Sequence, residues 1–438
     1  MVPGLLASMW LMLAASAATP TTSAVTEVAH TEVASEGSVD AYLALALEQS
    51  PEVRAAFHRW ESAVHRVARA RTLPEPTVSF GVFVQSVETR VGPQQARISV
   101  KQAFPWPTAL TAGGKAAGAE AQAAASALES TSLGVAHRVS VAFWTLWEVR
   151  ATRALHQEHL EIVGGLSEAV RARLTTGGAT LADLQQVDLS RARLEDGIRS
   201  MDEAEHVAQA ELLALIGERG VRSLPTTTSP VLSRPDEVDL EGAVLRHPSL
   251  TLLGHRADAA DARARAAGAG RLPSFTVGGD WIVTGPAVMP DTPDSGKDAV
   301  VASVGLRVPL WQGTYGHQIA AERSTAEARR SEQAAQGDRA LADLERALAQ
   351  VRDSERRVGV LSDTLLPQAE AAYASVLGSY AVGDSAVAQT LLSQRDLLEL
   401  GVERARASAD HQRAWAQLDQ LVGAEVARGP VTDPESAP

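Results

Sequence analysis

Residues 109–176 and 314–381 are two runs of 68 residues in which helix-forming sequence is scarcely interrupted. A continuous helix of that length reaches roughly 100 Å at 1.5 Å per residue, far beyond the three or four turns usual in a globular domain. A fold that holds both must be elongated, with helix packed along helix. Seven-residue spacing supports this: Leu128, Val135, Ala142 and Val149 recur along the first run, then Val187, Leu194, Met201, Ala208 and Leu215 beyond it. Heptads sustained this long indicate coiled-coil packing. Pro367 lies inside the second run and is expected to bend it, since it has no amide hydrogen to give the preceding turn.

The composition suits such helices. Hydrophobic residues make up 45% of the chain but aromatics only 4%, so Ala, Leu and Val carry the apolar content. Small side chains let long helices approach closely. A net charge of −13 argues against a nucleic-acid partner, because phosphate binding needs a basic surface. The absence of cysteine excludes disulfides, thiolate metal sites, cysteine nucleophiles and a lipidated N-terminal cysteine.

The chain is written twice. A helix ends at "LPEPTVSFGVFVQSV", and a second helix ends at "LPSFTVGGDWIVTG". Pro74 and Pro273 are 199 residues apart, Pro105 and Pro309 are 204 apart, and Gly177 and Gly383 are 206 apart. Near-constant offsets of this kind mark an internal duplication. Each half holds a strand pair, a long helix, a glycine turn and a shorter helix. The strands are expected at about 76–88, 96–104, 274–284 and 299–309, each alternating apolar and polar residues. Val78, Phe80, Val82 and Val84 share one face, as do Phe275, Val277 and Trp281, and Val300, Ala302, Val304 and Leu306. Two ordinary hairpins in a soluble sheet would also alternate, but four strands cannot close a barrel and would leave their edges unpaired. Gly177, Gly178 and Gly383 are expected to take positive φ in tight turns.

The organisation expected is a signal peptide over residues 1–18 and a flexible lead over 19–37. Repeat 1 follows over 38–217, a linker over 218–235, repeat 2 over 236–423, and a flexible tail over 424–438. The apolar run Leu5 to Ala18 ends in small residues, with Ala15-Ser16-Ala17 fitting a cleavage site, although no Lys or Arg precedes it. A buried or anchoring helix is the alternative. No later segment is apolar and long enough for a membrane-spanning helix.

The stretches "LPEPTVSFG", "VETRVGPQQARISVKQAFPWP", "LPSFTVGGDW" and above all "TLLPQAEAAYASVLGSYAVGDSAVAQTLLSQRDLLE" carry a resemblance. In them the chain resembles the outer membrane efflux protein (TolC) family, over residues 38 to about 423. The last stretch looks most like the heavy-metal, CzcC-type branch. The resemblance implies a mostly α fold with a small β part. Long coiled-coil hairpins would form a periplasmic α-barrel, and four strands per chain would join in a trimeric twelve-stranded outer-membrane β-barrel. Bilayer physics agrees, because strands can span hydrocarbon only when closed, and bacterial barrels need at least eight. It also implies a homotrimer in outer-membrane lipid, a periplasmic adaptor protein, and an inner-membrane pump of the RND type. The signal peptide and the outer-membrane location go together.

No catalytic constellation stands out, and no enzyme activity or cofactor is expected. "LTAGGKAAG" departs from a phosphate loop in its glycine spacing, and Ala follows Lys115. His156 and His159 sit at i, i+3 and His58 and His65 lie seven apart, but neither pair has a third ligand placed by sequence, so a solvated face is expected. In the family the helical turns form the periplasmic entrance and meet the adaptor, with an acid six residues after the turn glycine. That position is Asp183 after Gly177, and Gln389 after Gly383. Three copies of Asp183 would favour cations. The plainer alternative is an early-helix acid facing the helix dipole.

The function expected is a passive exit duct of a three-part efflux system, with heavy-metal cations as one candidate cargo. The alternatives are the exit duct of a type I protein secretion system and a periplasmic coiled-coil scaffold without a pore.

Overall fold

A computed structural model of the chain describes residues 37–220, 223–235 and 239–430. The N-terminal apolar run, its cleavage site, the lead up to residue 36 and the tail from residue 431 lie outside the described residues. In chain order the elements are α1 (Val39–Gln49), α2 (Pro51–Arg71), β1 (Thr77–Val82), β2 (Glu88–Thr89), β3 (Gly92–Phe104), α3 (Pro107–Thr175) and α4 (Leu181–Leu215). There follow β4 (Ser233–Pro235), α5 (Leu240–Leu245), α6 (Pro248–Ala269), β5 (Ser274–Thr284), β6 (Ala299–Arg307) and α7 (Gln312–Val360). A π-helical segment (Leu361–Leu365), α8 (Leu366–Val382), α9 (Val387–Val422) and β7 (Arg428–Pro430) complete the chain.

Helix α3 runs unbroken for 69 residues. It begins at Pro107, whose fixed φ suits the first helical turn and whose missing N–H is not needed there. Most heptad positions face the core. Val135, Ala142 and Ala208 are buried in one cluster with Leu128 and Leu215 packed against it, Val187 and Leu194 are buried in a second cluster, and Val149 and Met201 are half-buried. Helix α4 returns along α3, and Glu205 of α4 takes Arg150 at 2.8 Å and Arg153 at 2.6 Å. At the strand end, small residues make the contact. Ala112, Gly114, Ala116 and Ala119 of α3 are buried, and a Cβ built on Gly114 would lie 2.8 Å from Arg71 Cγ. Ala257, Ala260 and Ala264 do the same for α6. Close alanine packing takes the place of aromatic bulk.

The second long run is interrupted at Pro367 without ending: the chain widens just ahead of the proline into the π segment, where Leu366 N–H bonds to Leu361 C=O five residues back. A one-residue bulge of this kind supplies partners around an amide that proline cannot donate.

Strands β1, β3, β5 and β6 form one antiparallel sheet in that order, leaving β1 and β6 as edges. Here too the boundaries differ. The strand expected over 76–88 stops at Val82, and the hairpin continues through Phe83 N–H to Gln95 C=O (3.0 Å) and the short β2–β3 pair. A bulge between Gln94 and Ala96 turns the chain there. Strand β3 starts at Gly92, before the expected 96, and β6 ends at Arg307, short of Pro309.

The tail expected to be flexible from 424 is held over its first residues. Strand β7 pairs with β4 of the linker, so both ends of that linker–tail strap lie on the helical body. Val426 is buried, its N–H bonds to Asp419 Oδ1 (2.8 Å), and the Arg428 guanidinium lies 4.9 Å over the Trp415 ring. The strap is fixed from inside by His411, which is fully buried in α9. Its Nε2 accepts from Ser233 N–H (3.2 Å) and from Trp415 Nε1–H (3.1 Å), and its Nδ1 meets Ser354 Oγ at 3.1 Å. Burial lowers the pKa of this ring, with the neighbouring Arg428 acting the same way.

Candidate functional site: a sheet face and a helical entrance

Two opposite ends of the molecule carry chemistry. At the first, the register puts the alternating apolar residues of the four strands on one face, with Ile282 and Val301 on the other. Phe80 opposes Ile98, Ile98 opposes Trp281, and Trp281 opposes Val300; likewise Val100, Gly279 and Ala302 align. This face is bare: Val78 is 68% exposed, Phe80 69%, Val300 80% and Val304 78%. An apolar surface this wide on a single sheet face marks an interaction surface. Its length fits a bilayer, since β3, β5 and β6 hold 13, 11 and 9 residues against the 9–11 of a tilted spanning strand. Aromatic residues frame it. Trp281 Nε1–H donates to Asp298 (2.9 Å) at the turn end, while Trp106 packs 6.1 Å from Phe275 at the helix end, and Trp311, just before α7, is exposed. Such rings sit well where hydrocarbon meets water. Gln102 falls on the apolar face near the helices, and its amide is satisfied by the carbonyls of Pro74 and Ala103, each at 2.8 Å.

At the far end, the two helical turns meet. Gly177 (φ 75°) and Gly383 (φ 93°) adopt the left-handed conformation that ends α3 and α8. Gly178 does not; it keeps ordinary φ, and its N–H closes the turn on Arg173 C=O at 2.8 Å. Asp183 and Gln389 occupy the same place in their hairpins, the third residue of α4 and of α9. Their surroundings differ. Thr180 and Asp183 form a capping box: Thr180 N–H and Oγ1–H donate to Asp183 Oδ2 at 2.8 and 2.7 Å, and Asp183 N–H donates to Thr180 Oγ1 at 3.2 Å. Those bonds, the hydroxyl first, hold the carboxyl below its ordinary pKa. In the second hairpin Ala386 stands where Thr180 does and cannot cap, so Gln389 meets Ser385 Oγ at 3.3 Å instead.

Sequence reasoning missed the residue that joins these turns. Arg173 Nη1 donates to Tyr380 C=O at 2.5 Å, and its guanidinium lies 4.8 Å above the Tyr380 ring. Around them Val163, Val170, Val187, Tyr380 and Val387 form one apolar cluster drawn from both hairpins. The signal available was an Arg in the last turn of one long helix and a Tyr three residues before the glycine of the other. Gly177, Gly178, Gly383, Asp183 and Gln389 are thus brought to one end of the molecule.

The histidine pairs are separated by their partners. His159 is buried with Nδ1 2.7 Å from Gln394 Nε2, while His156 Nδ1 meets its own helix at Thr152 C=O (2.9 Å). His58 pairs with Glu61 (3.0 Å) at the surface. Among the described residues no group of three His, Cys, Asp or Glu is placed to hold a metal ion, and no helix is long and apolar enough to cross a membrane.

A bare apolar strand face above paired helical hairpins defines a class of protein, the outer-membrane channels that continue as helices on the periplasmic side. The model of the family described as "Outer membrane efflux protein" matches residues 42–218 and 240–424, and the chain belongs to that family. It is similar to the outer membrane efflux protein BepC of Brucella suis, 23% identical over 280 residues, which is 63% of this chain and 60% of the length of that relative. Its fold is that of VceC, the outer membrane protein of Vibrio cholerae (TM-score 0.73, 18% identity, 88% of this chain and 96% of that one). A membrane protein from Pseudomonas aeruginosa is equally similar in fold (TM-score 0.76, 17% identity, 88% and 90%). The chain is an outer-membrane protein with a large periplasmic part.

Proposed function

We propose that the chain is the passive exit duct of a three-part efflux system, working as a homotrimer that receives cargo from an inner-membrane pump through a periplasmic adaptor. The observation that carries this is the sheet: four strands with a bare apolar face and two unpaired edges, β1 and β6. In hydrocarbon those edges must be paired, and identical neighbours supply the pairing, β1 of one copy against β6 of the next. A soluble scaffold would have no use for that face. At the other end Leu181 and Val382 are 62% and 74% exposed beside the turn glycines, which suits docking of an adaptor. The adaptor and pump, of RND type, are implied by the family. Heavy-metal cations remain one candidate cargo, carried by the resemblance of residues 364–399.

The test uses the lack of native cysteine. Thr176→Cys and Val382→Cys should crosslink to the adaptor in cells, and the protein should run as a heat-modifiable trimer from outer-membrane fractions. Recovery as a soluble periplasmic protein, or labelling of both cysteines by an impermeant reagent outside intact cells, overturns the proposal.

A further inference from the structure

The ionisable side chains of the long strands β3, β5 and β6 are Arg97, Lys101, Asp280 and Arg307, and the register puts all four on the same face, the one opposite the apolar surface. If the apolar face meets lipid, this face lines the pore. Its charges do not cancel. Asp280 is engaged by Arg97 through Nε at 2.9 Å and Nη2 at 2.7 Å, and by Ser99 Oγ. Lys101 lies across from Thr77 and Gly278, and Arg307 from Ser274, so neither has an acid opposite it in the ladder. Gly278 leaves room for this lysine, because a Cβ built there would lie 3.0 Å from Lys101 Cγ. The turns at the outer rim carry acids of their own. Asp294 pairs with Lys297 at 3.6 Å, Asp298 accepts from Trp281 Nε1–H and Thr284 N–H, and Glu88 and Asp291 stand there with Arg90, so the positive wall is confined to the strand section beneath them.

We propose that the barrel section of the duct favours anions, with Lys101 and Arg307 as the residues that determine this. It rests on the duct reading given above. Three cations and one carboxylate leave two positive charges per chain, and three chains repeat them around one lumen. Fixed charges of one sign on a narrow wet wall raise the local concentration of counter-ions. The exit would then oppose the free cations that an acidic entrance attracts. Its preferred cargo class is anionic or zwitterionic small molecules, and a metal would pass with the field as an anionic complex rather than as a bare ion.

The experiment is the reversal potential of the purified trimer in planar bilayers under a KCl gradient at low ionic strength. It is run in the Asp183→Asn background so that the entrance carboxylate does not contribute. Chloride should permeate better than potassium. Lys101→Gln with Arg307→Gln should lower the Cl−/K+ permeability ratio by roughly twofold or more, and Lys101→Glu with Arg307→Glu should invert it. These effects should fade as salt rises, over a screening length of about 8–10 Å near physiological strength. A conducting pore whose ratio favours potassium, or whose ratio is the same in all variants, overturns this proposal alone. A trimer that forms no conducting pore overturns the duct reading along with it.

Discussion

Arg173 and Tyr380 join the two hairpins at their turns: the guanidinium of one caps the backbone carbonyl of the other and covers its ring. They are 207 residues apart in sequence, yet this contact sets how closely the end of α3 lies against the end of α8. A charged hydrogen bond together with a cation–π contact at a half-buried site contributes on the order of 1–3 kcal/mol. Arg173→Ala should therefore splay the turns, raise single-channel conductance and expose residues 176–181 to proteolysis. Arg173→Lys, which loses the planar fork, should lie between. Equal conductance and equal cleavage across the three proteins would remove the contact from any role at the entrance.

Asp183 has two separable jobs, and its substitutions tell them apart. As a capping residue, its loss in Asp183→Ala should speed amide exchange at the start of α4 about fivefold, the factor that accompanies ~1 kcal/mol. As an entrance charge, its loss in Asp183→Asn should reduce cation uptake at the periplasmic end. Its folded pKa lies below the ordinary 3.8, so the cap is present above pH 3.8 and is lost as pH falls through the lowered value. Exchange at Leu181–Asp183 that does not change between pH 5 and the acid limit of the fold would remove the cap's contribution.

The two faces of the sheet should respond oppositely to charge. An arginine at Phe80 or Val304, on the bare apolar face, should cost about 2–4 kcal/mol near the bilayer midplane and diminish the trimer in outer membranes. An arginine at Ser79 or Ser303, one residue away on the other face, should assemble normally. Equal defects at both pairs of positions would contradict the assignment of lipid and lumen faces.

His411 gives the strap an acid limit. Its ring is buried and neutral, with a folded pKa below 6.5, and Glu355 and Arg428 are the charged groups nearest it. Stability from this site is therefore complete above about pH 6.5 and is lost as pH falls towards the folded value, where a proton on Nε2 would displace Ser233 and Trp415. Hydrogen exchange at 231–235 and 426–428 should rise on acidification. His411→Asn should raise exchange at neutral pH and flatten its pH dependence, and a strap equally protected at pH 5 and 8 in the parent would exclude the device.

Much of this architecture was legible in the sequence because its signals are periodic and repeated. Heptads at Val135, Ala142 and Val187 face the core, and the alternation around Phe80, Trp281 and Val304 survives in the register. What was not legible depends on contacts distant in the chain. Arg173 looks like any helix-end arginine until Tyr380 is brought beneath it, and Asp280 looks unpaired until β5 lies against β3. The held tail was hidden for the same reason: Arg428 needs Trp415 and Asp419 to pin it. Capping at Asp183 was more local. Thr180 three residues before it is a sequence-level cue, and Ala386 in the second repeat is its visible absence.

The π segment ahead of Pro367 has a consequence for length. The offset between the repeats grows from 204 residues at the prolines that end the strands to 206 at the turn glycines, so the second descending run is the longer of the two. Unadjusted, those two residues would carry its tip about 3 Å past the first. The widened turn at Leu361–Leu365 takes up one residue without added rise, which brings Gly383 back towards the level of Gly177. It acts as a vernier between two copies of one motif that have drifted apart in length, and it offsets about half of that difference.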